Sequence, residues 1–209
     1  MATSLAKENI LRKIRQALNQ PVPLPFEEVE SSHHFFKSTN DDIAVVFAEA
    51  FTKVQGKFSH CENEQELIRQ LFLLFQQRSW KKIFFKESSI SKLLENHSIF
   101  SADDLATCEV SITSCEYLIA RTGSIVISSA QERGRTTSVY APIHICIAYK
   151  HQLVYDLKDA LVNIPIKFKE QMPSLITFAT GPSRTADIEK TLVTGVHGPK
   201  EVFCFLVEQ

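Results

Sequence analysis

The sequence predicts an α/β fold, an open and largely parallel sheet with helices on both faces. Three observations predict it. Apolar, β-branched runs of strand length, "SIVISS", "IHICIAY" and "LITFAT", recur through the second half and are interleaved with a helical pattern. The run "EVFCFLV" (201–207) is apolar at nearly every position rather than alternating, as in a strand buried on both faces. With 44% hydrophobic and 22% charged residues over 209 positions, the chain can bury the core of one domain of ordinary size, with or without an appendage.

Taken in order, residues 4–18 place Leu11, Ile14 and Leu18 at helical spacing between charges, a short amphipathic helix. The prolines of "QPVPLPFEE" can neither continue a helix nor enter a central strand. Residues 1–20 therefore read as a helical arm, 21–40 as an extended linker and 41–209 as the α/β domain. Such an arm packs on its own domain or on a neighbouring subunit, which permits a homo-oligomer. "DDIAVVFAEAFTKV" and "ENEQELIRQLFLLFQQR" read as helices, "KKIFF" as a short strand and "ESSISKLLENH" as a further helix. "DLKDALVNI" is a helix between the strands "IHICIAY" and "LITFAT".

Several classes of function are disfavoured. The formal net charge is −1, and the densest basic cluster is Arg12, Lys13 and Arg15, so no nucleic-acid partner is expected. No apolar run approaches a membrane span, and "MATSLAKENILRKIRQ" lacks the apolar block of a secretory signal, which places the protein in the cytoplasm. The five cysteines are odd in number and widely spaced, with no C-x-x-C and no zinc or iron–sulfur spacing, so neither a disulfide framework nor a metal or cofactor is expected in this chain. Neither a Walker A loop nor G-x-G-x-x-G occurs, and no G-x-S-x-G elbow supports a serine nucleophile.

Polar chemistry gathers in three places. Thr122, Gly123 and Ser124 stand just ahead of a strand. "QERGRTTSVYAPIHI" carries Arg133, Gly134, Arg135 and His144, the last within a strand where a hydrogen-bonded core role is expected. "TGPSRTADIEKTLVTGVHGP" (180–199) follows a strand with Gly181, then Ser183 and Thr185 at the start of an expected helix whose Ile188 and Leu192 face inward and which Gly195 ends. A strand–glycine–hydroxyl–helix unit leaves backbone N–H groups free for an anion. Arg184 either adds a bidentate contact to a carboxylate or phosphate, or pairs with Asp187 at i, i+3; Glu189 shares the first turn. His197, beside Gly198 and Pro199, is either an acid/base group or a turn histidine bonded to local backbone.

As a set these blocks resemble the lactate utilisation protein C family, which has a LUD domain. "TGPSRTADIEKTLVTGVHGP" is similar to its C-terminal signature, and "TGSIVIS" and "GRTTSVYAPIHI" to its two upstream blocks in the same order. The resemblance implies a fold like that of ribose-phosphate isomerases and CoA transferases. It implies a non-redox subunit of a bacterial system that oxidises L-lactate to pyruvate, with iron–sulfur clusters held by partner subunits. The positions that match are Thr122, Gly123, Ser124, Gly134, Arg135, Pro142 to His144, Gly181 to Glu189, His197 and Gly198. The first block departs from the pattern: the family's "AETGT" reads "ARTGS" here, with Arg121 in place of the acid and Ser124 in place of the second threonine. The mechanism expected is that Ser183, Arg184 and a helix N-terminus hold a small carboxylate such as L-lactate while His197 or Asp187 handles a proton. The competing readings are a stand-alone sugar-phosphate or acyl-CoA enzyme, with Glu116 or Glu132 as a transferase nucleophile, and a carboxylate sensor without turnover.

Overall fold

A computed structural model describes residues 5–19, 41–132, 134–169, 171–186, 192–195 and 197–208. The chain divides into residues 1–37 and 38–209. The first unit contains α1 (Leu5–Leu18), the expected arm helix; linker residues 21–40 lie outside the described residues.

The second unit opens with α2 (Ile43–Lys53), β1 (Lys57–Cys61), α3 (Glu64–Arg78), β2 (Ile83–Phe84) and α4 (Ser88–Glu95). Then come β3 (Val110–Thr113), β4 (Tyr117–Ile119), β5 (Ser124–Ser128), α5 (Thr137–Tyr140), β6 (Ile143–Tyr149) and β7 (Leu153–Val154). The remainder is α6 (Leu157–Phe168), β8 (Ile176–Ala179), β9 (Arg184–Ala186), β10 (Leu192–Thr194) and β11 (Glu201–Val207).

Helix starts follow local chemistry. Asp42 accepts from the Ala44 N–H at 2.9 Å and Asn63 from the Glu66 N–H at 2.9 Å, while the Glu66 carboxylate takes the Glu62 N–H at 3.0 Å. Asp156 and Asp159 form a reciprocal box at the start of α6, and Ser79 ends α3 in the left-handed conformation.

The expected parallel sheet has five strands in the order β1-β11-β6-β3-β2, every pair parallel. Beside it lies a four-stranded sheet in the order β7-β4-β5-β8, whose β4–β5 and β5–β8 pairs are antiparallel. The side chains of β11 alternate between two cores. Phe203, Phe205 and Val207 join Leu67 and Leu71 of α3 and Leu94 of α4, whereas Val202, Cys204 and Leu206 join Phe47 and Phe51 of α2. Helices thus cover both faces of the parallel sheet. On the second face α2 shares the contact with Leu118 and Ile125 of the smaller sheet, a layer the sequence reading lacked. Each such large side chain, fully buried, stabilises by about 2 kcal/mol.

One expectation is overturned. Where a helix is expected after Gly181, the described residues 184–186 and 192–194 are the antiparallel strands β9 and β10, with Thr185 opposite Val193. Gly195, at φ 80°, ends β10 rather than a helix. Over residues 184–186 and 192–194 the expected helix lost to backbone pairing between strands, because a polar, glycine-bounded segment offers too little apolar surface to hold a helix on the core.

Candidate functional site

The three polar blocks meet, though not around a helix N-terminus. Ser124 Oγ lies 2.7 Å from Thr122 Oγ1 and 2.8 Å from Thr180 Oγ1, a hydroxyl relay joining the first block to the third. Gly123 (φ 61°) lets this turn approach α2, since a Cβ there would lie 2.4 Å from the Phe51 nitrogen. Gly181 (φ 78°) approaches the same helix, with a Cβ placed 2.3 Å from the Val54 carbonyl oxygen. Arg184 donates to that same Val54 carbonyl at 2.7 Å. Its guanidinium therefore caps the C-terminal end of α2, where a cation is favoured, instead of facing an anion at a helix start.

The third block then closes on itself and on the second. The Ser183 N–H donates to the Pro199 carbonyl at 2.9 Å, the Gly195 N–H to the Ser183 carbonyl at 3.0 Å, and the Lys200 N–H to the Pro142 carbonyl at 2.7 Å. These bonds shape a cleft of about 400 Å³ walled by Val139, Tyr140, Pro142, His197, Gly198 and Lys200, at the amino ends of β6 and β11. His197 and Lys200 are exposed there, and no carboxylate side chain lines the cleft among the described residues. Asp187 and Glu189, named from the sequence, lie outside the described residues. His144 is a core residue: it is 1% exposed, and its Nε2 pairs with Thr113 Oγ1 at 2.8 Å.

Gly134 and Arg135 belong elsewhere. A Cβ on Gly134 would lie 2.0 Å from the Ser128 carbonyl oxygen, and Arg135 donates to Ser174 Oγ. The turn closed by Gly134 presents Gln131 to a polar chain at the carboxyl edge of the parallel sheet. Gln131 Nε2 donates to Ser114 Oγ at 2.8 Å, and Ser114 Oγ in turn donates to Glu87. On its other side Gln131 Oε1 accepts the Ser128 N–H at 2.9 Å, and Ser128 Oγ donates to Glu116 at 2.6 Å. Lys167 completes the chain with an ion pair to Glu116 at 2.6 Å. Burial pushes the Glu87 carboxyl above the usual range, with the neighbouring Glu116 charge adding to the effect. Glu132 is exposed and outside this network.

A LUD domain model matches residues 44–207. The chain belongs to the LUD domain family. A lactate utilization protein C of Halalkalibacterium halodurans is 26% identical over 185 residues, covering 81% of this chain and 80% of its own length. Its namesake from Bacillus subtilis is 37% identical over 100 residues, covering 47% of this chain and 42% of its own. Among solved structures, a DUF162 family protein from Deinococcus radiodurans superposes with a TM-score of 0.56 at 17% identity, over 79% of this chain and 96% of its own, a likeness of fold.

Within this LUD domain the Arg121 departure has a structural explanation. Its guanidinium forks the Asp156 carboxylate, Nε to Oδ2 at 2.9 Å and Nη2 to Oδ1 at 3.1 Å, tying the first block to the start of α6 and holding Asp156 below its usual pKa. All five cysteines are buried free thiols; the contact with Cys146 and then burial push the Cys115 thiol well up, and Cys146, though its bond with Cys115 lowers it, is raised well above the usual thiol value by Cys204 and burial. Among the described residues no three His, Cys, Asp or Glu side chains converge as a metal site, and no helix is long and apolar enough to cross a membrane. Sequence reading missed Lys200, Glu87, Ser114, Gln131 and Lys167. The usable signal was position: Ser114 directly follows β3 and Glu87 lies in the loop that leaves β2, where ligands of parallel sheets bind.

Proposed function

We propose that this chain is a cytoplasmic subunit of a bacterial L-lactate utilisation system, in which partners carrying iron–sulfur clusters oxidise L-lactate to pyruvate and this LUD domain holds a small carboxylate. The family and its relatives named lactate utilization protein C support the lactate role. The observation that carries the carboxylate role is the cleft built by the second and third motif blocks. Its described lining brings together Lys200 and His197, with no acidic side chain beside them. The Lys200 ammonium attracts and holds the anion. His197 lies in a turn beside Gly198 and exchanges a proton with the bound acid or with a partner's group. Arg184, committed to Val54, takes no part in binding; Thr122, Ser124 and Gly181 set the position of the loop.

The test is growth on L-lactate of a strain lacking this gene, complemented with wild type or with Lys200→Ala or His197→Ala. Rescue by wild type alone, with both variants folded and present at normal levels, is the expected result. Rescue by every form retains the lactate role and removes the cleft from it. Normal growth of the deletion strain on lactate, with no related gene covering, overturns the reading.

A further inference from the structure

We propose that the cleft beyond the carboxyl ends of β2, β3 and β6 is a second ligand site, one that takes a hydroxylated organic anion on Lys167 and Glu116. The inference stands on this cleft alone and does not require the lactate role.

The cleft has a volume of about 460 Å³, within the range of small-molecule sites, and its walls include Ser114, Glu116, Gln131, Tyr149, Lys167 and Phe168. It lies where ligands of open parallel sheets bind, outside the carboxyl ends of the strands. The Glu116–Lys167 pair has a graded exposure: the carboxylate is 4% exposed and the ammonium 47%. One partner is fixed in the wall and the other stands at the mouth. An ammonium with three donors, one of them directed at Glu116, has others to offer an incoming anion. Glu116 accepts from Ser128 and Lys167 with one oxygen each, and a carboxylate has lone pairs beyond those two. A ligand hydroxyl placed next to the anion completes its coordination.

Tyr149 and Phe168 supply the apolar part of the wall for the carbon skeleton of such a ligand. Tyr149 is held in place by its hydroxyl, which donates to Glu64 at 2.6 Å, and by the His151 ring stacked at 6.0 Å. Behind the pair, the hydrogen-bonded chain Ser128–Gln131–Ser114–Glu87 fixes the wall geometry, and a wall held in this way lowers the entropy lost on binding. Gly134, one of the positions matched to the family signature, is required by close packing in the turn that presents Gln131 and Ser128. This gives that position a role in the carboxyl-edge cleft rather than in the motif cleft.

The experiment is calorimetric titration of the full chain with D-gluconate, a six-carbon polyhydroxy carboxylate, and with hexanoate, which has the same length and charge but no hydroxyl. Gluconate is expected to saturate one site and to bind more tightly than hexanoate by about tenfold, the worth of one good hydrogen-bonding position. Glu116→Gln is expected to narrow that difference and Lys167→Arg to retain binding of both. Because a single loss of Lys167 leaves Glu116 buried without its cation, the charge is removed in the double variant Glu116→Gln/Lys167→Met. Its fold is checked by thermal unfolding, and its gluconate binding is expected to be lost. Absence of saturable gluconate binding to wild type overturns the proposal. Equal affinity for the two acids, or undiminished binding by the folded double variant, does so as well.

Discussion

His144 makes acid stability a direct test of how the parallel sheet is packed. The ring lies in β6, 1% exposed, and burial pushes its pKa down from 6.5 to about 4. Its register partners on the flanking strands, Ser111 and Val202, carry no charge to compensate a proton. The folded protein therefore keeps the ring neutral where the unfolded chain already binds a proton. For a depressed pKa of this kind the stability is complete above pH 6.5 and falls as pH drops toward the folded value of about 4. Between about pH 7.5 and about pH 5 the unfolded side chain becomes almost fully protonated and the folded one hardly at all, so linkage predicts a loss of about 2 kcal/mol from this residue. The assay is urea unfolding followed by circular dichroism at those two pH values, for wild type and His144→Gln. The variant cannot take up the proton, so its stability is expected to fall less than that of wild type by about 2 kcal/mol over the interval. Parallel pH profiles for the two proteins would refute the reasoning, since they would mean that the ring ionises in the native sheet.

Two variants test the clasp on α2. Arg184→Ala is expected to lower stability by about 0.5 kcal/mol through loss of the helix-end contact, measured by denaturant midpoint. The same variant should bind small carboxylates like wild type, and a large loss of that binding would return Arg184 to the ligand. Gly123→Ala places a side chain against the Phe51 backbone at a positive φ and is expected to cost about 2 kcal/mol; an unchanged midpoint would contradict the close approach.

What the sequence could reveal depended on whether one segment carried its own signal. Helices α2, α3 and α6 show themselves through apolar spacing and caps, α4 through apolar spacing alone, and β6 and β11 through unbroken apolar runs. Strand β1, "KFSHC", did not, because it pairs only with β11 in its sheet, carries few apolar side chains and buries only Cys61. The smaller, mixed sheet escaped for a different reason. Every residue of β5 is buried, so "SIVIS" reads like a parallel strand, and nothing in a short buried run encodes the direction of its partners. In the motif blocks the residue types were legible but their partners were not. Arg184 looks the same in sequence whether it meets a carboxylate or the carbonyl of Val54, 130 positions away. The carboxyl-edge network was harder still, since Glu87, Ser114, Gln131 and Lys167 are ordinary polar residues until the fold brings them together.

The position of β11 has a consequence for how the protein is made. It lies between β1 and β6, so β1 has no partner in its sheet until residues 201–207 arrive, and Lys57 meets Glu201 across 144 positions. During synthesis the amino-terminal half of the domain therefore waits on the ribosome with Phe47, Phe51 and Leu71 lacking the surface that later covers them. A nascent chain of this kind is a client for chaperones throughout translation, and a stall before β11 yields a sticky fragment rather than a smaller working protein.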